Sequence, residues 1–487
     1  MDQIVKRGSK QSVYDDAPLC VDLDGTLLKT DTLWESLVGL LLRNPLLVFA
    51  AAFWMLRGKA ALKTKVAART DRDPATWPYR EEVVDLLRRE SAAGRKIVLA
   101  TGAPEKVAKA VADHLKIFDA VYCTTADHNL TAKNKSRVLV EKYGEGGFDY
   151  IGDSGDDIAV FEVARNAIVV APDRAAHRWH LRHESTALVE RGVSANVIFK
   201  AMRIHQWLKN SLLAVPLVLH HELFNVSLVV DVVIAFFAFS FAASFVYLLN
   251  DLADLENDRL HHRKRERPMA SGRLSIPDGI RLACVLLVAS LVLAAFLPLV
   301  FFGVLMVYIV TTTAYSFFLK RKLLVDVFTL AGLFTLRIIA GGAAIQLELS
   351  FWLLAFSIFF FLSLALVKRY VELSELTGDK GSKELGRGYY AVDFEMIGQA
   401  GIASAFGAAL VLALYVHSVE VQEMYPMPLF LWPLCPLILY MQLRIWMLAR
   451  RQQMHDDPVV FLISDWRSQL VTAVGACLVL LAAVFPS

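Results

Sequence analysis

The sequence predicts two fold classes in one chain, an α/β domain with a parallel sheet and, after it, an all-α bundle of membrane-spanning helices. Residues 1–190 alternate short apolar runs with charged, helical stretches, whereas long apolar runs begin at about residue 205. In addition, 56% of the 487 residues are hydrophobic, which exceeds the usual share in a soluble protein. We therefore expect a first domain over residues 1–190 and a second over residues 200–487.

The strands of the first domain are predicted by four apolar runs, PLCVDLDG, KIVLATG, FDYIGDS and AIVVAP. Helical, charged stretches such as YREEVVDLLRRESAAG separate them, and this alternation is typical of a parallel sheet. Gly, Ser, Thr and Asp stand at the ends of the first three runs. Open α/β sheets build their sites at the carboxyl ends of strands, so we expect the site there.

One segment of the first domain is apolar enough to suggest a membrane span. Residues 36–56 read SLVGLLLRNPLLVFAAAFWML, but Arg43, Asn44 and Pro45 interrupt them. A span here would place Asp22 and Asp153 on opposite sides of the membrane. We therefore predict a small helical cap over about residues 30–85, which packs on the core or rests against the bilayer surface.

The second domain contains nine apolar runs, each near the ~20 residues that a helix needs to cross a ~30 Å hydrocarbon core. We expect nine transmembrane helices, at about residues 208–223, 226–249, 279–297, 299–318, 324–345, 351–369, 394–417, 428–448 and 468–485.

Loop charges predict the orientation of these helices. The segments RLHHRKRERPMASGR, LKRKLL, KRYVELSELTGDKGSKELGR and LARRQQMHDD fall on one side, whereas HHELFN, QLELS and VEVQEMYPMP carry no Lys or Arg. Lys and Arg in short loops stay cytoplasmic. We expect the basic loops, both active sites and the first domain, which shows no signal peptide, on the cytoplasmic face of the plasma or inner membrane. Nine spans would place the C-terminus on the far side.

The overall charge and the cysteines exclude some classes of function. A formal net charge of +3 gives no basis for nucleic-acid binding. The five cysteines show neither CxxC nor zinc-ligand spacing, so neither a disulfide framework nor a thiol metal site is indicated.

Four polar segments stand in one order at predicted strand ends of the first domain or close to them. They are DLDGT at Asp22–Thr26, LATG ending at Thr101 and Gly102, AKNKSRVL with Lys135, and GDSGDD at Gly152–Asp157. Together they resemble the haloacid dehalogenase phosphatases over about residues 17–185. The resemblance implies a Rossmann-like fold and hydrolysis of phosphate esters. Taken by itself, GDSGDD could also be a polar turn after a strand.

The resemblance also implies roles for these residues. Asp22 would attack phosphorus and form an aspartyl phosphate, Asp24 would act as general acid and base, and Thr101 and Lys135 would grip the phosphoryl group. Crowded carboxylates repel one another without a cation, and oxygen ligands suit Mg²⁺. The expected Mg²⁺ ligands are Asp22, Asp24, Asp153 and Asp157, with Asp156 as a weaker candidate. A module that binds phosphorylated ligands without hydrolysis is the alternative, and the pair Asp22 and Asp24 argues against it.

An aspartate-rich segment, FVYLLNDLADLENDRLHHRKRERPMASG, ends the second predicted span. It places Asn250, Asp251, Asp254 and Asp258 at spacings that share one helical face. Carboxylates grouped at the end of an apolar helix call for cations, so we expect Mg²⁺ and a bound diphosphate. A solvated helix end is the alternative.

The motif NDxxDxxxD, followed by RPxxxG at Arg267–Gly272, resembles the diphosphate-binding signature of the UbiA prenyltransferase superfamily. Within that superfamily the segments RIHQWLKNSLLAVPL, AYSFFLK, LRIIAGG and KRYVEL are most similar to the decaprenyl-phosphate phosphoribosyltransferases. This likeness implies transfer of 5-phosphoribosyl from phosphoribosyl diphosphate to a polyprenyl phosphate, with Asp251, Asp254 and Asp258 as catalytic metal ligands. The fused phosphatase could then remove the 5-phosphate.

Cationic and polar residues near the predicted cytoplasmic ends of the spans are candidates for binding substrate phosphates. Lys368 and Arg369 stand where aromatic prenyltransferases carry acidic ligands, which suits a substrate with an extra phosphate. Arg337 lies inside an apolar run, where we expect a bound anion or an acidic partner. The other candidates are Lys209, Asn250, Arg267, Tyr315 and Lys320. Interfacial anchoring is the alternative for five of these residues, Lys209, Tyr315, Lys320, Lys368 and Arg369. Transfer of an isoprenyl group from its diphosphate is the alternative reaction.

Overall fold

The computed structural model describes residues 17–44, 46–70, 72–125, 129–189, 194–374, 387–454 and 457–484. The chain falls into two compact units. The first comprises Met1–Ala201 and Asp251–Leu282, and the second comprises Met202–Asn250 and Ala283–Ser487. The aspartate-rich segment after Asn250 therefore belongs to the same unit as the predicted phosphatase.

The first unit contains a six-stranded parallel sheet in the order β3-β2-β1-β4-β5-β6. Val, Ile, Leu and Ala make up most of the strand residues of this sheet, a composition that suits strands buried on both faces. The strands are β1 (Leu19–Val21), β2 (Ile97–Pro104), β3 (Ala120–Thr124), β4 (Asp149–Gly152), β5 (Ala167–Val170) and β6 (Thr186–Val189).

Helices cover both faces of this sheet. Leu19 and Val21 pack in one buried cluster, and Cys20 between them packs in another, because successive side chains of a strand point to opposite faces. The helices of the chain up to residue 202 are α1 (Thr32–Arg43), α2 (Leu47–Leu56), α3 (Lys59–Ala67), α4 (Glu81–Ala92), α5 (Glu105–Leu115), α6 (Lys133–Tyr143), α7 (Ile158–Phe161), α8 (Arg174–His180) and α9 (Ala195–Met202). Helices α4 and α5 contribute to the first cluster, and α6, α7 and α8 to the second.

The predicted cap is present as the three short helices α1, α2 and α3. They share a small apolar core that includes Leu33, Ala51 and Val66. The break between α1 and α2 falls at Asn44, where the sequence turns polar. Helix α2 has only 10 residues, too few to cross a bilayer.

The second unit consists mainly of long apolar helices. The remaining helices of the chain are α10 (Val215–Leu219), α11 (Val226–Ala253), α12 (Leu255–Leu260), α13 (Ile276–Ala294), α14 (Leu299–Phe317), α15 (Val325–Ala344), α16 (Phe351–Ser374), α17 (Phe394–Val416), α18 (Val419–Met424), α19 (Leu434–Arg450), α20 (Pro458–Ser464) and α21 (Trp466–Val484). Short 3₁₀ segments lie at Pro74–Thr76, Gly155–Asp157, Ile204–Ala214, Lys264–Glu266, Leu319–Arg321, Ala391–Asp393 and Pro428–Leu431.

Among the described residues, eight helices are long and apolar enough to cross a membrane, one fewer than predicted. The difference is the first run, which forms a 3₁₀ segment, Ile204–Ala214, followed by the five-residue helix α10. Pro216 lies in the first turn of α10. Proline is tolerated there because the backbone N–H that it lacks would have no partner within the helix. Nine spans would have placed the C-terminus on the far side of the membrane, and eight spans do not support that placement.

Candidate functional site

The first site forms at the carboxyl end of the central strand β1. Asp22 follows Val21 directly, and its backbone N–H donates to the carbonyl of Ile151 in β4 at 3.0 Å. The residue Asp22 is buried, with 7% of its surface exposed. The parallel sheet therefore brings the predicted nucleophile beside the residues that follow β4.

Lys135 links the predicted nucleophile to the GDSGDD segment. Its ammonium lies 3.0 Å from Oδ1 of Asp22 and 2.9 Å from Oδ1 of Asp157. It also donates to the hydroxyl of Tyr150 at 2.8 Å. One buried cation thus holds two carboxylates that sequence analysis assigned to the same site.

Carboxylate oxygens of Asp22, Asp153 and Asp157 all lie within 4.8 Å of one another. Three converging carboxylates are a donor set that suits Mg²⁺, so these residues fit the predicted metal. Thr26 donates to Oδ1 of Asp153 at 3.0 Å and orients it. Gly25 has a φ of +81°, and a Cβ there would lie 2.2 Å from Oδ2 of Asp153. The glycine of DLDGT therefore makes room for a ligand carboxylate.

Asp24 has a partner of its own, the backbone N–H of Thr32 in α1, which donates to Oδ1 at 2.8 Å. Burial, reinforced by the charge of Asp31, raises the pKa of Asp24 to about 7. Burial also raises the pKa of Asp22 to about 6, against the lowering effect of Lys135. A carboxyl group that titrates near neutral pH suits a general acid and base.

The hydroxyl of Thr101 accepts from the backbone N–H of Ala103 at 3.0 Å, and the residue is fully buried. Its neighbour Gly102 lines the cavity at the site, as does Asp156. The assignment of Thr101 to phosphate binding stays a prediction.

Two cations of the site were not predicted from the sequence. Arg80 donates to the carbonyls of Gly25 and Thr26, both at 3.1 Å. Lys63 of α3 donates to the carbonyl of Gly102 at 3.1 Å. Neither residue belongs to a recognised motif, and only the fold brings them to the strand ends.

The aspartate-rich segment is organised around Arg267. Its Nη1 lies 3.1 Å from Oδ1 of Asp251 and 2.6 Å from Oδ2 of Asp258, and both aspartates are buried. Burial raises the pKa of Asp258, although Arg267 opposes the shift. Among the described residues, only Asp22, Asp153 and Asp157 form a group of three close metal-type ligands. A second Mg²⁺ on Asp251, Asp254 and Asp258 therefore stays a prediction from the motif.

The second unit brings Lys209 and Lys368 to one carboxylate. Their ammonium groups lie 2.7 Å and 3.7 Å from Oδ2 of Asp457, which was not predicted. Lys209 belongs to the 3₁₀ segment before α10, and Lys368 to α16. The signal in the sequence was HDDP, and only the helix packing places Asp457 of this motif beside two distant lysines.

Arg369 differs from its neighbour Lys368 because it is fully buried. Its Nε lies 3.0 Å from Oδ2 of Asp326, and it also pairs with Glu372. The hydroxyl of Tyr389 donates to the same Asp326. These interactions favour a structural role for Arg369.

Arg337 donates to neutral oxygen atoms among the described residues. Its partners are Asn210 Oδ1 at 2.9 Å, the carbonyl of Leu333 at 2.6 Å and the hydroxyl of Tyr308 at 3.1 Å. An acidic partner is not among these three groups, and the bound anion expected from the sequence stays a prediction.

The remaining candidates, Tyr315, Lys320 and Asn250, are partly buried in the second unit. Tyr315 accepts a hydrogen bond from Arg387 at 3.2 Å. Their roles in substrate binding stay predictions.

Comparison with known proteins agrees with both predicted parts. The sequence model of the UbiA prenyltransferase family matches residues 212–466, and that of haloacid dehalogenase-like hydrolases matches residues 19–162. The uncharacterized protein y4nM of Sinorhizobium fredii is 37% identical over 465 residues, which are 94% of this chain and 90% of the relative.

Two further proteins are similar to the membrane part. A decaprenyl-phosphate phosphoribosyltransferase of Mycolicibacterium smegmatis is 41% identical over 196 residues, which are 39% of this chain and 61% of the relative. The solved structure of a UbiA homolog from Archaeoglobus fulgidus, bound to GPP and Mg²⁺, is 18% identical, with a TM-score of 0.44 over 58% of this chain and 99% of its own. The chain therefore belongs to the UbiA prenyltransferase family, as a multi-pass membrane enzyme that also carries an N-terminal haloacid dehalogenase-like hydrolase domain.

Proposed function

We propose that the membrane part transfers 5-phosphoribosyl from phosphoribosyl diphosphate to a polyprenyl phosphate, and that the phosphatase then removes the 5-phosphate. The observation that carries the first step is the 41% identity over 196 residues to a protein named decaprenyl-phosphate phosphoribosyltransferase. The second step is supported by the geometry of Asp22, Asp24 and Lys135. The final product would be polyprenyl-phosphoryl-ribose.

In the transfer step, the bond between C1 of the ribose and the diphosphate breaks as a phosphate oxygen of the lipid bonds to C1. The diphosphate leaves as inorganic diphosphate. Lys209 and Lys368 are the proposed anion-binding residues, because the fold gathers two cations at the single carboxylate of Asp457. Asp251, Asp254 and Asp258 are the proposed Mg²⁺ ligands of this half, on the strength of their motif alone.

In the phosphatase step, a carboxylate oxygen of Asp22 attacks the phosphorus of the 5-phosphate, and the bond between phosphorus and the ribose oxygen breaks. Asp24 donates its proton to that oxygen, which its raised pKa permits near neutral pH. Water then hydrolyses the aspartyl phosphate while Asp24 takes up a proton. Mg²⁺ held by Asp22, Asp153 and Asp157 would neutralise the phosphoryl oxygens, and Lys135 adds a fixed positive charge beside Asp22.

The cap supports access to a lipid-linked substrate. Helix α2 is almost entirely apolar, and Phe49 and Leu56 are 74% and 86% exposed. In a membrane enzyme such a surface suits the edge of a bilayer. We propose that α2 rests on the cytoplasmic leaflet, which would keep the phosphatase next to its substrate and raise the effective concentration of that substrate.

A second candidate reaction is transfer of an isoprenyl group from its diphosphate to an aromatic or lipid acceptor. The match of the prenyltransferase family model to residues 212–466 favours it. In this case the phosphatase would act separately or have a regulatory role.

The test uses the purified full chain in detergent with Mg²⁺, a polyprenyl phosphate and phosphoribosyl diphosphate. One sample carries ¹⁴C in the ribose and a second carries ³²P in the 5-phosphate, and lipid extracts are resolved by thin-layer chromatography. We expect the lipid to retain ¹⁴C and to lose ³²P, and we expect Asp22→Asn to retain both labels. The control is Asp85→Asn, a change at an exposed site on α4. Absence of labelled lipid, together with turnover of an isoprenyl diphosphate, would establish the second candidate instead.

A further inference from the structure

The phosphatase cavity is built from two distant parts of the sequence. It has a volume of about 500 Å³ and is lined by the predicted residues Asp22, Asp24, Lys135, Asp153 and Asp157. Its wall also includes five residues from the segment that follows the aspartate-rich motif, namely Gly272, Arg273, Ser275, Pro277 and Asp278. All of these residues belong to the first compact unit. The transferase sequence therefore completes the pocket of the phosphatase.

A close backbone contact places this segment against the phosphatase. Gly272 has a φ of +72°, and a Cβ at this position would lie 2.5 Å from Cβ of Lys29 and 3.2 Å from its carbonyl oxygen. Lys29 lies seven positions after the nucleophile Asp22, in the loop that leads to the cap. Position 272 thus requires glycine for two reasons, the left-handed backbone conformation and the close approach to Lys29.

An ion pair holds the same two parts together a short distance away. Arg259 of α12 pairs with Glu35 of α1 at 2.6 Å, and also donates to the carbonyl of Ala270 at 3.1 Å. Glu35 in turn accepts from the hydroxyl of Thr30 at 2.9 Å. The segment with Gly272 and Arg273 is therefore a fixed part of the wall.

Of the residues that the structure describes, five cations line the cavity, and three of them bond to the phosphatase loops. Lys63 and Arg80 bond to loop carbonyls, and Lys135 bonds to Asp22 and Asp157. The other two are Lys29, which lies against Gly272, and Arg273, which follows Gly272 in the chain.

These two cations are the ones that do not bond to the phosphatase loops. Among the described residues, the side chain of Lys29 has no hydrogen bond or ion pair. Arg273 bonds within its own segment, to Ser271 and Glu266, and its side chain is 41% exposed. The acidic Asp278 of the same wall is already paired with Arg281, at 2.5 Å.

We propose that Lys29 and Arg273 form a second anion subsite in the phosphatase cavity and select substrates with a second phosphate group. A cavity of this volume accommodates a sugar with two phosphates. The identity of the natural substrate rests on the proposed function, in which the product of transfer carries a 5-phosphate and a phosphodiester at C1. Asp22 would attack the first, and the subsite would hold the second through charge-assisted hydrogen bonds.

The test compares two soluble probes on the full chain in detergent with Mg²⁺. One is ribose 5-phosphate, and the other is the same sugar with a methyl phosphodiester at C1. We expect the wild type to prefer the second probe by about tenfold in kcat/KM, the effect of one or two charge-assisted hydrogen bonds. Lys29→Gln and Arg273→Gln should each lower this preference, mainly through KM, and Arg273→Lys should restore part of it.

The matched control is Arg263→Gln, the same change at an exposed arginine of the same loop that is not part of the cavity wall. It should keep the wild-type preference. Turnover of ribose 5-phosphate by the variants shows that they are folded. Equal use of both probes by the wild type, or an unchanged preference in both Lys29→Gln and Arg273→Gln, would overturn the subsite.

These probes need no transferase activity. A preference for the diester in a protein that transfers isoprenyl groups would therefore leave the subsite standing and reject the proposed substrate. Phosphoribosyl transfer by a protein that uses both probes equally would support the proposed substrate and reject the subsite.

Discussion

Arg259 and Glu35 form an ion pair that is almost completely buried, with side-chain exposures of 6% and 0% and 2.6 Å between Nη2 and Oε1. The pair joins the helix that carries Asp258 to the first helix of the phosphatase cap. Residues more than 200 positions apart in the sequence therefore share one compact unit. The interaction links the signature motif of the transferase to the structure of the phosphatase.

Replacement of Glu35 by Gln should destabilise the first unit by about 3–5 kcal/mol, because it leaves the guanidinium of Arg259 buried without a counter-charge. Chemical denaturation, monitored by tryptophan fluorescence, measures the change in the free energy of unfolding. The matched control is Glu256→Gln, which breaks the ion pair with Arg72 in the same region. Glu256 is 46% exposed, so its loss should cost less than about 1 kcal/mol. Equal effects of the two changes would contradict the role of burial.

Substitution of Asp22 by Asn should reduce phosphate release by at least about 10³-fold, the scale expected when a nucleophile is removed. Transfer of the labelled group to the lipid should persist, because Asp22 is assigned to the phosphatase alone. Phosphate release from ribose 5-phosphate and ¹⁴C in the lipid extract measure the two activities. Survival of both activities would show that Asp22 is not the nucleophile.

Asp251→Asn should have the opposite effect, with loss of lipid labelling and retention of phosphatase turnover. Asp251 is buried and paired with Arg267, so the phosphatase assay on the same sample shows whether the first unit is still folded. We expect transfer to fall by at least about 10²-fold, the effect of removing a group that stabilises developing charge. Normal transfer by a folded variant would remove the argument for a metal at this segment.

Asp149 makes the stability of the first unit depend on pH. Burial by itself would raise the pKa of this carboxyl group, but hydrogen bonds from Arg165 and Arg95 outweigh burial and lower it. A lowered folded-state pKa stabilises the fold above the unfolded value of about 3.9, and this contribution is lost as the pH falls through the folded value. Asp149→Asn should therefore lower the free energy of unfolding at pH 7 by about 1–3 kcal/mol. The Tm at pH 7 should fall accordingly.

The difference in Tm between the wild type and Asp149→Asn should shrink below about pH 4. Asp85→Asn, on the surface of α4, is the control and should leave the Tm unchanged at every pH. A difference that stays constant down to pH 3 would show that the charge of Asp149 is not responsible.

The double change Phe49→Glu and Phe53→Glu tests whether α2 contacts lipid. Both residues are more than half exposed in the structure, so the change should leave the fold intact. With protein in liposomes, we expect a severalfold lower rate on the lipid-linked phosphate and an unchanged rate on ribose 5-phosphate. Equal loss on both substrates would indicate damage to the cap instead.

Much of the phosphatase site could be predicted from the sequence, because its residues stand next to strand ends in recognisable motifs. Asp22, Lys135, Asp153 and Asp157 are brought together as the parallel sheet requires. Arg80 and Lys63 could not be predicted, since each binds a backbone carbonyl that only the folded loops present. Asp457 could not be predicted for a similar reason, because its partners, Lys209 and Lys368, lie in distant segments of the chain.

The two fold classes, the helical cap and the membrane character could all be predicted from the sequence, because periodicity and the length of apolar runs are local properties. The three-dimensional packing was needed to show that residues after Asn250 join the phosphatase unit. It also decided that Arg369 is buried against Asp326, and that the first apolar run breaks into a 3₁₀ segment and a short helix. These features depend on which distant side chains meet and what they exclude from water, and no local pattern records that.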